Sequence, residues 1–271
     1  MCLETLKKRI VLGIGTKQPK EIVIMKKIFA ILLLIVTVAS TGCNKEKLIT
    51  LSTTSTTLHH GETYQISAQC DDPITYSSSN EYYAKVSSLG KITAQYVGKT
   101  TISLKSEDDN RLFTVTIAPE YNLYPEPNIN IGETKSSVIS KLGTPDAITD
   151  GGIGYNNYSD AAPILMVLLD NNDRVQGYSV FVKTIYTSTL SSFLGERYVF
   201  LGYSDDTFMY TNGLTESTAT KYIASRYYNT NYWWVIYGNS SSNNCKQNNV
   251  SDSMNSYNEI RFMDFMKLIE N

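Results

Sequence analysis

The chain has 271 residues, long enough for roughly two domains of ordinary size. Hydrophobic residues make up 42% and charged residues 18%, which allows packed cores and excludes a globally disordered polymer. A formal net charge of −2 leaves no electrostatic footprint for nucleic acid, and 2 adjacent His against 20 Tyr supply few of the scattered ligands and bases that metal or triad enzymes use.

Met25-Lys26-Lys27 precedes the apolar run Ile28 to Val38, and Ala39-Ser40-Thr41-Gly42 leads to Cys43. A charged start, an apolar stretch of about 7–15 residues and a small-residue exit form a secretory signal. The run is shorter than the roughly 20 residues a bilayer-spanning helix needs. A Cys directly after the exit resembles a bacterial lipoprotein signal. That resemblance implies cleavage before Cys43 and acylation of Cys43, which would attach the chain to a membrane. Ser40 stands where Leu is common in such signals and Thr41 where Ala or Ser is common; Gly42 and Cys43 fit. A plain signal peptide with an incidental Cys is the alternative. Residues 1–24 are read as upstream of the true start, Met25, with the signal over 25–42 and a tether over 43–47. Lys45-Glu46-Lys47 is mixed in charge and does not choose between inner membrane, outer membrane and cell surface. Cys2, Cys43, Cys70 and Cys245 contain no CxxC pair, and a Cys70–Cys245 bridge is open only in an oxidising compartment.

Residues 48–118 read as one small β-sandwich. Tyr64, Ile66 and Ala68 alternate after the turn Leu58-His59-His60-Gly61-Glu62-Thr63. From Ile74 to Leu104, short β-type runs are closed by turn signals at Ser77-Ser78-Ser79-Asn80, Ser88-Leu89-Gly90 and Val97-Gly98-Lys99. Phe113, Val115 and Ile117 alternate in a closing strand. About seven short strands at this spacing predict an antiparallel sandwich. The order Leu58…Gly61…Tyr64-x-Ile66-x-Ala68, Ile74-x-Tyr76-x-Ser78-Ser79-Asn80, Ala84-x-Val86, Gly90-x-Ile92-x-Ala94, Gly98-x-Thr100-x-Ile102 and Val115-x-Ile117 resembles the group 2 bacterial Ig-like (BIG2) domain. Tyr76 stands where Trp is frequent, and Tyr82-Tyr83 adds bulk before Ala84. The resemblance implies a spacer or adhesion module of a bacterial surface, with no general catalytic centre.

Residues 119–127 form a linker stiffened by Pro119, Pro125 and Pro127. Residues 128–271 read as an α+β domain rich in Tyr, with short helices on an antiparallel sheet. Val138 and Leu142 lie four apart on one helix face, Gly143 suits the position after the helix, and Pro145 stops it. Ile164 to Leu169 and Val175 to Val182 form a hairpin around Asn171-Asn172-Asp173. A helix ending in Leu194-Gly195 and a second hairpin, Tyr222 to Tyr228 and Tyr232 to Tyr237, repeat the order and point to an internal duplication. The run Gly132 to Pro145 is similar to the opening helix of the BamE and β-lactamase-inhibitory-protein families, which implies helices on one face of a sheet and function through binding. Gly238 to Ser256 reads as a polar loop, and Glu259 to Ile269 as a helix or an edge strand.

In a strand, Trp233, Val235 and Tyr237 share one face and Tyr232, Trp234 and Ile236 the other. One face belongs to a core; the other is either covered or open. An open aromatic face would bind protein or glycan, because Tyr and Trp combine rigid area with a polar handle. Tyr232, Trp233, Trp234 and Tyr237 are therefore the candidate ligand-binding residues. No catalytic residue, metal site or cofactor is expected. His59-His60 has no further ligand at a metal spacing, Asp170 to Asp173 lacks the Gly and distal Glu of a calcium loop, Glu107-Asp108-Asp109 is an acidic hairpin tip, and Gly151-Gly152-x-Gly154 does not open a helix after a strand. The chain thus reads as a non-catalytic, lipid-anchored envelope protein that binds an unknown protein or glycan. The alternatives are a structural or assembly lipoprotein of an envelope complex and an unrecognised hydrolase.

Overall fold

A computed structural model describes residues 47–239. The signal and Cys43, the tail from Ser240 with its expected loop and helix or edge strand, Cys2 and Cys245 all lie outside the described residues. The chain is mostly β, with an Ig-like sandwich followed by a larger antiparallel sheet that carries two short helices.

The sandwich is built from nine strands: β1 (Thr50–Leu51), β2 (Ser55–Leu58), β3 (Thr63–Gln65), β4 (Ala68–Gln69), β5 (Thr75–Ser78), β6 (Ala84–Val86), β7 (Lys91–Ala94), β8 (Gly98–Lys105) and β9 (Asn110–Ile117). They form a four-stranded sheet in the order β2-β9-β8-β5, a three-stranded sheet β3-β7-β6 and the small pair β1-β4. Alternation puts Ile92, Ala94, Ile102, Leu104, Phe113 and Val115 in one core, all with no exposed surface. One pairing departs from the antiparallel expectation: β2 runs parallel to β9, with Ser55 opposite Thr114 and Leu58 opposite Ile117. Parallel neighbours need a long connection rather than a tight turn, and strands β3 to β8 lie between these two.

The departures from the family pattern have a packing reason. Gly90 has φ +77°, and a Cβ there would lie 2.9 Å from the Tyr76 ring. Gly98 has φ +148°, and a Cβ there would lie 2.2 Å from the Tyr83 ring. Each glycine therefore supplies a backbone that side chains resist and the space for a neighbouring tyrosine.

Beyond the linker, the order is α1 (Lys135–Leu142), β10 (Ala147–Thr149), β11 (Gly152–Asn156), β12 (Ile164–Leu169), β13 (Val175–Lys183), α2 (Thr187–Gly195), β14 (Val199–Ser204), β15 (Thr207–Thr211), β16 (Lys221–Tyr227) and β17 (Tyr232–Asn239). The repeat is thus larger than a helix and a hairpin: it is a helix and a four-stranded meander, twice. The strands join in one sheet, β10-β11-β12-β13-β17-β16-β15-β14, so the last strands of the two meanders meet antiparallel at the centre, with Val180 opposite Val235. Thr134 caps α1 by accepting from the Ser137 N–H at 3.2 Å, and the Gly143 N–H closes it on the Ile139 carbonyl at 2.8 Å. Asp170 to Asp173 is the β12–β13 turn, in which the Asp170 carboxylate accepts from the Asn172 and Arg174 N–H groups.

Both helices lie on one face. Val138, Leu190, Phe193 and Leu194 pack over Val167, Val180, Val182 and Val235. The linker shares this core. Leu123 and Tyr124 are buried in it, Tyr124 lies 4.5 Å from Phe193, and its hydroxyl shares a 2.7 Å hydrogen bond with that of Tyr237. A second cluster, Ile164, Met166, Phe181, Ala224, Trp234 and Ile236, is buried on the opposite face.

The sandwich is fastened to the second region at the end of α2. The Val97 N–H donates to the Glu196 carbonyl at 2.9 Å, and the Tyr82 hydroxyl donates to the Arg197 carbonyl. The buried Glu196 carboxylate takes the Glu120 and Tyr121 N–H groups at 2.9 and 3.1 Å and pairs with Arg197. Arg197 donates in turn to the Phe193 and Tyr121 carbonyls, both at 3.1 Å. The Tyr82-Tyr83 bulk is therefore a joint: Tyr83 fills the Gly98 gap, and Tyr82 crosses to the neighbouring region.

Candidate functional site

The candidate strand β17 alternates as its sequence predicts, but both of its faces are buried. Tyr237 has no exposed surface; it stacks on Tyr178 at 4.7 Å and bonds Tyr124. Trp234 is buried on the opposite face, 6.0 Å from Phe181 with the Arg226 guanidinium 5.0 Å from its ring. Tyr232 is partly buried against the same cluster. Trp234 and Tyr237 thus lie in buried clusters on opposite faces of the sheet, because a central strand gives its side chains to both. Of the four candidates, Trp233 lines a cavity.

That cavity is a groove of about 710 Å³ between α2 and strands β14 to β17. Its floor is Phe208, Tyr210, Ser225 and Trp233, its helical wall is Thr187, Ser188, Leu190, Ser191 and Leu194, and its rim is Tyr203, Asp206 and Tyr227. The rings form a continuous row. Tyr203 lies 4.7 Å from Phe208, Phe208 lies 6.0 Å from Trp233, and Trp233 stacks on Tyr227 at 3.9 Å. Tyr203 and Tyr227, at the two ends, are 57% and 58% exposed, whereas Trp233 beneath Tyr227 is 6% exposed.

Three local features make this groove. A bulge in β14 pairs Phe200 with Tyr210 and Tyr203 with Phe208, leaving Leu201 as the extra residue. Phe200 and Tyr203 thereby reach the same face, which strict alternation forbids for residues three apart. Ser225 stands between Phe208 and Val235 on neighbouring strands, so one small side chain sits in a row of large ones and sets the depth. The Trp233 indole N–H donates to the Thr187 hydroxyl at 2.8 Å, which fixes the ring against the first turn of α2.

Asp206 is the only charged side chain among the described lining residues, and its carboxylate accepts the Tyr203 hydroxyl at 2.7 Å. That acceptance raises the Tyr203 pKa above the ordinary phenol value. Burial, the largest cause, also raises the phenol of Tyr210. Both hydroxyls therefore stay protonated and act as donors at neutral pH. The groove can stack flat apolar faces and bond hydroxyls. Among the described residues no group of three or more His, Cys, Asp or Glu gathers to hold a metal ion, and no helix is long and apolar enough to cross a membrane. At the acidic hairpin tip, Asp109 is engaged by the Ile49 N–H at 2.9 Å and by Arg111 at 2.8 Å.

Among the tyrosines, Tyr203, Tyr210 and Tyr227 are visible in the sequence, but only the bulge and the sheet order bring them to Trp233. No local signal singles them out from the core tyrosines.

An intimin mutant from EHEC O157:H7 aligns at 18% identity over 36% of this chain, with a TM-score of 0.23; this chain spans 62% of the length of that structure. Domains 5–6 of the S-layer protein SbsC align at 12% identity over 72% of this chain and 84% of theirs, with a TM-score of 0.23. The C-terminal domain of TagH aligns at 11% identity over 62% of this chain and 98% of its own, with a TM-score of 0.26. No curated protein matches the sequence. Residues 47–117 match the family of the bacterial Ig-like domain (group 2).

Proposed function

We propose that this chain is a non-catalytic binding protein of a bacterial cell envelope, anchored by lipid on Cys43, held off the membrane by its Ig-like domain, and engaging an extracellular or envelope ligand through the groove beside α2. The observation that carries this reading is the row Tyr203–Phe208–Trp233–Tyr227, open at both ends and faced by hydroxyls. Exposed aromatic rings in a concave site are the usual anchors of recognition. Glycoside hydrolysis by the common acid–base pair uses two carboxylates at a set separation, and the described lining carries one. The Ig-like match supports a surface or envelope role, since modules of that family serve as spacers and adhesion units.

The test is capture of ligands from envelope extract and from a glycan array by the full-length protein, alongside Tyr227→Ala and Ser225→Leu. Capture that both substitutions abolish supports the groove as the binding site. Capture unchanged by either moves binding elsewhere and overturns that assignment. Metabolic labelling with a fatty acid, lost in Cys43→Ala, tests the anchor.

A second reading has its own observation. Strand β14 is an edge of the sheet, and Phe200 and Leu201 on it are exposed. Such an edge accepts a strand from a neighbouring protein. This favours a structural role within an envelope complex, and co-purification of a stable partner lost on Leu201→Lys tests it.

A further inference from the structure

We infer that the groove beside α2 takes a short, uncharged oligosaccharide. The inference rests on the binding role proposed above and names its ligand class.

Charge comes first. The described lining residues include no Lys, Arg or His, and the single carboxylate, Asp206, is already bonded to Tyr203. An anionic ligand would enter a low-dielectric site with no cation to pair it and a carboxylate facing it. Phosphates, sulfated sugars and acidic peptides are disfavoured on that ground.

The distribution of polar atoms comes second. Ser188 and Ser191 stand along one wall and Ser225 on the floor, while the Thr187 hydroxyl is spent on the Thr184 carbonyl and the Trp233 indole, and the opposite rim is aromatic. A pyranose has the complementary shape: a C–H face that packs on a ring and a periphery of hydroxyls that both donate and accept. A peptide instead carries main-chain groups that need partners in line. Strands β15 and β16 are paired on both sides, so the floor offers no free strand edge to satisfy them.

The third point is that the fold does not require the gap. In the first repeat, Tyr155 is buried on β11 and its hydroxyl donates to the Gly143 carbonyl at the end of α1, at 3.2 Å. The matching strand of the second repeat, β15, carries Phe208 and Tyr210 on the floor of an open groove. The volume, about 710 Å³, lies within the range of small-ligand sites. Trp233 is pinned by Thr187, so the platform under Tyr227 is set before any ligand arrives.

The chain contains 2 Trp, so Trp234→Phe leaves Trp233 as the sole indole reporter. The full-length Trp234→Phe protein is titrated with a panel of short uncharged oligosaccharides, and indole emission is followed. The expected result is a saturable change for at least one sugar, with affinity reduced at least about tenfold in Tyr227→Ala and in Ser225→Leu. If circular dichroism shows that Trp234→Phe does not fold, calorimetry on the unsubstituted protein replaces emission. No response to any uncharged sugar, a response confined to anionic sugars, or a response that survives both substitutions overturns the assignment. The binding role then stands if envelope capture by the full-length protein is still lost in Tyr227→Ala, with a peptide or protein as the ligand. It falls with the sugar if no capture depends on the groove.

Discussion

The indole N–H of Trp233 and the hydroxyl of Thr187 meet at 2.8 Å, tying the floor of the groove to the first turn of α2. Thr187→Val keeps the shape and removes the acceptor, leaving a nearly buried N–H unpaired. The expected cost is about 1–3 kcal/mol of stability. Urea denaturation should show a lower midpoint with an unchanged slope. The same substitution should weaken any groove ligand by freeing the ring.

The Glu196–Arg197 pair holds the linker and both folded regions at one point. Glu196→Ala would leave Arg197 buried beside Phe193 with the Glu126 carboxylate, 4.0 Å away, in place of a close partner. Breaking a buried pair by removing one partner costs roughly 3–5 kcal/mol. Denaturation monitored by fluorescence and by proteolysis at the linker should both report the loss. Cleavage near Tyr121 at denaturant concentrations where the intact protein resists would show that the joint opens first.

Gly98→Ala should destabilise more than Gly90→Ala. Both force a side chain onto a backbone of positive φ, at about 1 kcal/mol or more each. The added methyl at Gly98 also meets the Tyr83 ring at 2.2 Å, against 2.9 Å for Gly90 and Tyr76. Thermal melts of the two variants rank the effects; an equal shift in Tm would contradict the packing argument.

Glu133 should mark the acid limit of the α1 cap. Burial works to raise its carboxyl, but the Lys141 ammonium, the Asn130 N–H and the Ser137 hydroxyl outweigh it and hold the carboxyl below its ordinary value. A depressed folded-state pKa gives stability that is present above the unfolded value, about 4.3, and is lost as pH falls through the folded one. Glu133→Gln should therefore lower stability at neutral pH and flatten the acid limb of the stability profile. An unchanged acid limb would remove Glu133 from that role.

The alkaline limb has the opposite sign. Burial raises the phenols of Tyr124, Tyr178, Tyr198 and Tyr237 above their ordinary value, and that of Tyr158 to about 12. Their stabilisation is complete below about pH 10 and is lost as pH rises toward the folded values. Ultraviolet titration should show these buried phenols ionising only on unfolding.

Much of this architecture is legible because it depends on local rules. Alternation around Ile92, Ala94 and Ile102 places the sandwich core, and Thr134, Gly143 and Pro145 bound α1 without reference to anything distant. The parallel β2–β9 pair is not legible, since pairing direction depends on where a strand returns after some fifty residues. Strand β11 is hidden by Gly152 and Gly154, which remove the side chains that periodicity needs, and β10 is only three residues long. The groove is missed for a related reason. Trp233 stands out by residue type, but so do Trp234, which lies on the opposite face, and Tyr237, which shares its face but is covered by Tyr124 and Tyr178. Tyr203 joins Trp233 through a bulge at Leu201, which breaks the alternation that makes faces readable.

The parallel pairing of β2 and β9 has a mechanical consequence. After the short β1, the chain enters β2 at its start and leaves the sandwich at the end of β9, and the two strands point the same way. A pull between the N-terminal end of β2 and the C-terminal end of β9 therefore drags the strands past each other lengthwise. Their hydrogen bonds share that load together instead of opening one after another. The Ig-like unit is thus a shear joint along the line from β2 to β9.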